Sequence, residues 1–264
     1  MNGTKSSLNN LTDNVTNRVP HIILLYWIIK IASTTLGETG ADMFSMTFNI
    51  GYGYTILIFM TLFLVSLGVK LAIKCYETIS YWILFTMTAI VGTAISDYID
   101  RTLKLGYATG SGLLLALLFV VLAIWYMTEK SIDVENIKTT RAEIFYWLAF
   151  LVANTLGTAA GDFLSDNLGW GFLLSAAIIA AVLVVTALLH FYTKLSGVLL
   201  FWIAFVLTRP FGATFGDLLT KTHDKGGLNL GTIGSSIFFA IMLVVALIRE
   251  IKVEKQKKIN ELAL

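Results

Sequence analysis

Four aspartates, Asp42, Asp97, Asp162 and Asp217, stand in otherwise apolar stretches, each fifteen residues after a tryptophan and directly after a small residue (Ala41, Ser96, Gly161, Gly216). An ionisable group inside a membrane span is costly to bury and by default marks an ion path or proton relay. Residues four apart share a helix face, so stepping back from each aspartate gives Thr34-Glu38-Asp42, Ala89-Thr93-Asp97, Asn154-Thr158-Asp162 and Arg209-Ala213-Asp217. The stripe continues outward through Ser45, Asp100, Asp166 and Thr220.

Carboxylates with Thr and Asn oxygens, and no Cys or His nearby, are hard ligands suited to magnesium, manganese, calcium, sodium or protons and poorly suited to copper. The expected cation-binding set is therefore Asp42, Asp97, Asp162, Asp217, Glu38, Thr93, Thr158 and Asn154, with the four aspartates as metal ligands and Arg209 as counter-charge and gate. If all five acids ionise, Arg209 alone leaves four formal negative charges, which protons or bound cations must offset. Arg209 replaces Thr34 and Asn154 of the sister segments, about 10 Å beyond Trp202 along the helix. It is expected to pair with Glu38 or an aspartate in the cation-free state.

The elements that hold these groups are read from composition and periodicity. Of 264 residues, 56% are hydrophobic and 14% charged, against about 25% charged in soluble domains. Long apolar runs near the roughly 20 residues a helix needs to cross a bilayer are centred near Trp27, Thr61, Phe85, Leu117, Leu151, Ile179, Phe205 and Ala240. The expected fold is all-α, a polytopic membrane protein of eight spans. No room remains for a soluble catalytic domain. There is no HExxH, nucleophile elbow or phosphate-cradling glycine loop, so an enzyme is not expected, nor a cofactor, nor a nucleic-acid partner. The single cysteine, Cys75, excludes an intramolecular disulfide and a thiolate metal cluster. The expected partners are the lipid bilayer and an inorganic cation or protons.

The chain is also repetitive. Tyr26-Trp27, Tyr81-Trp82, Tyr146-Trp147 and Phe201-Trp202 each open a unit of pattern aromatic-Trp-x9-Gly-x3-small-Asp-x8-Gly. The first glycines are Gly37, Gly92, Gly157 and Gly212, and the last are Gly51, Gly106, Gly171 and Gly226. Two halves are offset by 120 residues. A polar, disordered tail is expected over 1–18, the first half over 19–128, a charged cytoplasmic linker over 129–141, the second half over 142–250, and a basic tail over 251–264. Asn2, Asn10 and Asn14 form Asn-x-Thr sequons that a stretch so rich in Asn and Thr produces by chance, and no cleaved signal peptide is expected.

Each unit holds two spans, so all four enter the membrane in one orientation and equivalent residues lie at similar depth. Thirteen Lys/Arg on the side of the termini against four on the other, Arg101, Lys104, Lys221 and Lys225, place both termini in the cytoplasm. With each Trp in the cytoplasmic aromatic belt, the first glycine lies about 15 Å deeper and the aspartate about 22 Å deeper. On this scheme Gly-x3-small is a packing motif, the tryptophans anchor at the interface, and Lys30 snorkels to the nearer surface. The first helix of each unit should be innermost, and Pro210 should kink the seventh span.

On these motifs the chain resembles a bacterial membrane-protein family of four tandem repeats of unknown function, each with two transmembrane regions and a characteristic tryptophan. The resemblance runs from Trp27 to Ile248 and implies a multi-pass protein of the bacterial inner membrane. It supplies no activity. "LGETGAD" is similar to the Glu-x-Gly-Asp motif of another repeat family, of manganese and calcium transporters, but an extra residue separates Gly40 from Asp42 and no basic residue follows, so nothing is carried over. The expected function is a cation transporter with a carboxylate-lined site near the repeat axis, manganese export being the leading assignment. The alternatives are a cation channel with an aspartate ring, or a structural or partner-binding membrane protein.

Overall fold

The computed structural model describes residues 17–134 and 136–262; residues 1–16 of the tail expected over 1–18, and the last two residues, lie outside them. The described residues form eight long helices and no strand. They are α1 (Leu24–Asp42), α2 (Tyr52–Ile73), α3 (Thr78–Asp97), α4 (Tyr107–Glu129), α5 (Thr140–Asp162), α6 (Gly171–Tyr192), α7 (Gly197–Thr220) and α8 (Thr232–Leu262). Seven, α2 to α8, are long and apolar enough to cross a membrane, consistent with a multi-pass membrane protein. The remaining one, α1, carries Lys30, Glu38 and Asp42 with Ser33, Thr34, Thr35 and Thr39, and is more polar. The basic residues after 250 continue α8 rather than forming a separate tail.

The odd-numbered helices form an inner ring in which α1 packs on α3, α3 on α5, α5 on α7 and α7 on α1. Glycine makes this ring possible. Gly37 lies against Ala89, Gly92 against Asn154 and Thr155, Gly157 against Arg209 and Pro210, and Gly212 against Thr34. Each contact joins the residue ten after one unit's Trp to the residue seven after the next unit's Trp, and Gly212 on Thr34 closes the circle. A Cβ on Gly92 would stand 2.9 Å from the Thr155 backbone nitrogen. The absent side chain lets the backbones approach.

Each outer helix packs chiefly on the inner helix of the following unit: α2 on α3, α4 on α5, α6 on α7, and α8 back on α1. The sequence unit is thus not a self-contained hairpin. The outer helices leave large apolar side chains exposed along their lengths, such as Leu64 on α2, Phe119 on α4, Leu173 on α6 and Phe238 on α8. The inner helices carry most of the buried residues, as expected.

After Asp42, Asp97 and Asp162 the inner helices widen into π-helical turns (Met43–Thr47, Tyr98–Thr102, Phe163–Asn167). The chain then reverses through Gly51, Gly106 and Gly171, whose φ of 82°, 79° and 72° favour glycine. Unit four differs. α7 runs unbroken through Pro210 and ends at Thr220, and a short 3₁₀ turn (His223–Lys225) follows. Gly226 belongs to that turn, whereas Gly231 (φ 78°) accepts from Ser235 N as Gly51 does from Thr55 N. The repeat's last glycine in this unit is therefore Gly231 in structural terms, not the Gly226 of the gapless pattern.

At the other end lie rings of aromatic residues. Tyr26, Tyr81, Tyr146 and Phe201 are joined by Trp82 and Trp147, with Tyr26–Trp82 centroids 5.5 Å apart and Tyr81–Trp147 centroids 5.1 Å apart. Trp82 and Trp147 are buried in the core, and Trp82 Nε1 donates to Glu250 at 2.8 Å. This corrects the interfacial-anchor expectation for these tryptophans: they fill the space between neighbouring inner helices. Asn17 and Arg18 are also fixed rather than part of a disordered tail. The Asn17 carbonyl accepts from Tyr76 N at 2.8 Å, and Arg18 pairs with buried Glu143 at 2.7 Å. Glu143 also faces Lys70 at 3.3 Å. In the linker, Val134 and Ile137 are buried, so this segment between the halves packs onto the bundle.

Candidate cation site

The four equivalent aspartates lie at the far end of the inner ring, each no more than 2% exposed. The structure sorts them into two pairs instead of one ring. Lys221 Nζ lies 2.6 Å from Asp42 Oδ2 and 3.0 Å from Asp217 Oδ1. Arg101 reaches Asp97 at 3.2 Å and Asp162 at 3.6 Å. Each base sits one turn beyond the aspartate of its own helix and bridges to the aspartate of the next unit. Burial alone would lower the Lys221 ammonium, but Asp217 and Asp42 outweigh it and hold the group above the ordinary lysine value. Arg101 and Lys221, 120 residues apart, were counted in the sequence only as loop charges.

One turn toward the aromatic end the symmetry breaks. Glu38 Oε2 accepts from Arg209 Nη2 at 3.1 Å, from Thr93 Oγ1 at 3.2 Å and from Thr158 Oγ1 at 3.4 Å. One oxygen thus gathers donors from all three other units. Arg209 also donates to the carbonyls of Thr34 and Ala89 at 3.2 and 3.4 Å and to the Thr93 hydroxyl. The expected pairing of Arg209 with Glu38 is present in the structure. Asn154 does not join this group. Its Nδ2 donates to Thr88 Oγ1 at 2.8 Å, and its backbone and Cβ back onto Gly92.

The outward stripe does not extend the site. Ser45 and Thr220 hydroxyls donate to the carbonyls one turn back. Asp100 lies against Gly110 of α4, and Asp166 is exposed.

Three carboxylates, on Glu38, Asp42 and Asp217, each present an oxygen within 4.8 Å of the others, a spacing that could hold a metal ion. Asp42 Oδ1 and both oxygens of Asp97 accept no hydrogen bond. The expectation that Arg209 is the only basic group among the acids does not hold. Arg101, Lys221 and Arg209 pair directly with the five carboxylates, leaving two formal negative charges if all five ionise.

Lys30 does not snorkel to the nearer surface. It is fully buried, its Nζ donating to the Phe205 carbonyl at 2.9 Å and accepted by Thr208 Oγ1 at 2.6 Å, 3.4 Å from the Phe205 ring centroid. Three residues after each other Trp stands a phenylalanine, Phe85, Phe150 or Phe205, and these pack together at 3.9 to 6.4 Å. This layer and the Tyr/Trp layer separate the carboxylates from the aromatic end of the bundle.

Four stretches of the chain, residues 25–76, 80–131, 145–196 and 200–256, match the family described as Repeat of Unknown Function (DUF347). They coincide with the four units opened by the aromatic-Trp pairs, and the fourth is longer, in keeping with the displaced glycine of unit four. No curated protein and no solved structure matches the chain. The chain belongs to the DUF347 repeat family, of which it carries four tandem copies.

Proposed function

We propose that the protein is a multi-pass transporter of a hard cation, with Glu38, Asp42 and Asp217 as the binding groups. The observation that carries this reading is that these three buried carboxylates offer oxygens within 4.8 Å of one another while Asp42 Oδ1 accepts no hydrogen bond. Three formal negative charges on Glu38, Asp42 and Asp217 stand against two positive ones on Arg209 and Lys221, which leaves the site net negative, and all-oxygen donors suit manganese, magnesium or calcium. Manganese is the first cation to test. The aromatic layers speak against a channel, since they leave the acids facing one end only. In this reading α1 spans the bilayer with the other seven helices, the four repeats run parallel in two pseudo-symmetric halves, and both termini face the cytoplasm of a bacterial inner membrane.

One observation favours a second reading. Arg101 and Lys221 already bridge all four aspartates, as the closed core of a structural protein would. Equilibrium binding of manganese, calcium and magnesium to purified protein, followed by uptake into proteoliposomes, separates the two. Saturable binding lost in Asp42→Asn supports the transporter, whereas no binding of any of these ions leaves the structural reading.

A further inference from the structure

Lys30 is a buried base that the proposed site does not use. Its ammonium meets two oxygen partners and two aromatic rings, Phe205 and Phe85, and among the described residues no carboxylate lies within ion-pair reach. It occupies the layer that closes the bundle between the carboxylates and the aromatic end. The three sister units fill that layer with phenylalanine alone. From the aromatic end toward the site, a cation meets first Lys30 and then Arg209.

A fixed positive charge in a narrow low-dielectric passage excludes cations. Arg209 is a permanent charge, but Glu38 beside it offsets that charge. Lys30 has no such partner, and an amine, unlike a guanidinium, can give up its proton. The charged group that bears on Lys30 is Arg209 of α7. The other titratable groups toward that end are Tyr26 of α1, Tyr81 of α3 and Glu250 of α8, the last held by Tyr76 and Trp82.

We infer that Lys30 is the proton carrier that couples cation passage through the aromatic layer to an opposite flow of protons, an inference that rests on the transporter reading above. In this step one N–H bond of the ammonium breaks, the nitrogen keeps the electron pair, and the proton leaves to water at the aromatic end. The neutral amine keeps donating to the Phe205 carbonyl, and the Thr208 hydroxyl, which donates to that same carbonyl at 2.8 Å, turns its hydrogen to the amine lone pair instead. With the charge gone, the layer no longer repels the cation. The cation passes from the aromatic end to the carboxylates, and reprotonation from the carboxylate side then restores the barrier, so that one proton moves toward the aromatic end as the cation moves away from it.

The test uses purified full-length protein in proteoliposomes, with manganese as the probe and an internal pH dye. Wild type should take up manganese with protons moving the other way. Lys30→Arg keeps a permanent charge in the layer. It should retain equilibrium manganese binding to within about threefold while losing flux by about tenfold or more. Lys30→Met removes the charge and should move manganese with the proton counterflow lost. The inference is overturned if Lys30→Arg shows wild-type flux and counterflow, or if Lys30→Met keeps the counterflow. A wild type that transports manganese without protons sinks the inference and leaves the transporter reading standing. A wild type that neither binds nor moves the ion sinks both.

Discussion

Arg209 of α7 and Glu38 of α1 meet between neighbouring helices of the inner ring, Nη2 of the one 3.1 Å from Oε2 of the other. They mark where units one and four depart from the repeat, since Glu38 has Thr93, Thr158 and Ala213 as equivalents and Arg209 has Thr34, Ala89 and Asn154. Removing one partner of a buried ion pair strands the other, at a cost of about 3–5 kcal/mol. Arg209→Gln and Glu38→Gln should each lower thermal stability in detergent by that order. The double variant should lose clearly less than the sum. Additive losses would show that the two residues do not act as a pair.

The ring closure makes a sharper prediction about glycine. A Cβ on Gly92 would press on the backbone of Thr155 at 2.9 Å, whereas one on Gly68, in the exposed part of α2, meets nothing within 4 Å. Gly92→Ala should therefore destabilise by about 1–3 kcal/mol, as overpacked cores do. Gly68→Ala should be neutral or stabilising, because alanine is the better helix former. Thermal unfolding of the two variants side by side checks this. Equal behaviour would mean that close approach at Gly92 does not hold the ring.

Much of this was legible in the sequence, and the failures have physical causes. The gapless return of Trp, Gly and Asp fixes four units and one level for the acids, and the departures at positions 38 and 209 identify the asymmetric interface. What the pattern could not reveal is which neighbour each outer helix chooses, because a helix of uniformly apolar residues such as α6 presents no face that singles out one partner. Trp82 and Trp147 were misplaced because an aromatic near a span end reads as an interfacial anchor, while burial here depends on the adjacent inner helix. Lys30 was misplaced by the same assumption. Arg101 and Lys221 were visible as bases one turn beyond Asp97 and Asp217 but were counted for topology instead of for pairing. Gly226 matched by position alone, since the longer turn of unit four shifts the structural role to Gly231.

Glu77 tests the local chemistry that starts α3. Its two carboxylate oxygens accept from Ile79 N at 3.0 Å and Ser80 N at 2.6 Å. Burial pushes its carboxyl up, but these hydrogen bonds outweigh that and hold it below the ordinary glutamate value. A depressed carboxyl contributes stability above its unfolded value and loses it as pH falls through the folded one. Glu77→Ala should cost about 0.5–2 kcal/mol at neutral pH, and the gap to wild type should close below about pH 4. Unfolding of both proteins across pH measures it, and a gap unchanged in acid would mean that the charged cap is not what starts the helix.

Lys221 and Arg101 hold equivalent positions over the two aspartate pairs, yet only Lys221 should compete with a cation. The Lys221 ammonium lies 2.6 Å from Asp42 and 3.0 Å from Asp217, within the group that Glu38 completes. It is in effect a tethered cation competing for the same oxygens. At the other pair Thr158 stands where Glu38 stands here, so only two carboxylates and the Arg101 fork are present. Lys221→Met should destabilise the ion-free protein, because Asp42 and Asp217 lose their counter-charge. The same change should tighten manganese binding by about tenfold, and added manganese should then restore more stability to the variant than it adds to wild type. Arg101→Met should destabilise without tightening binding. In the same measurement Asp42→Asn and Asp217→Asn should weaken affinity well beyond Asp97→Asn and Asp162→Asn. If Lys221→Met leaves manganese affinity unchanged, Lys221 does not occupy the place of a cation, and the site formed by Glu38, Asp42 and Asp217 is not where the ion binds.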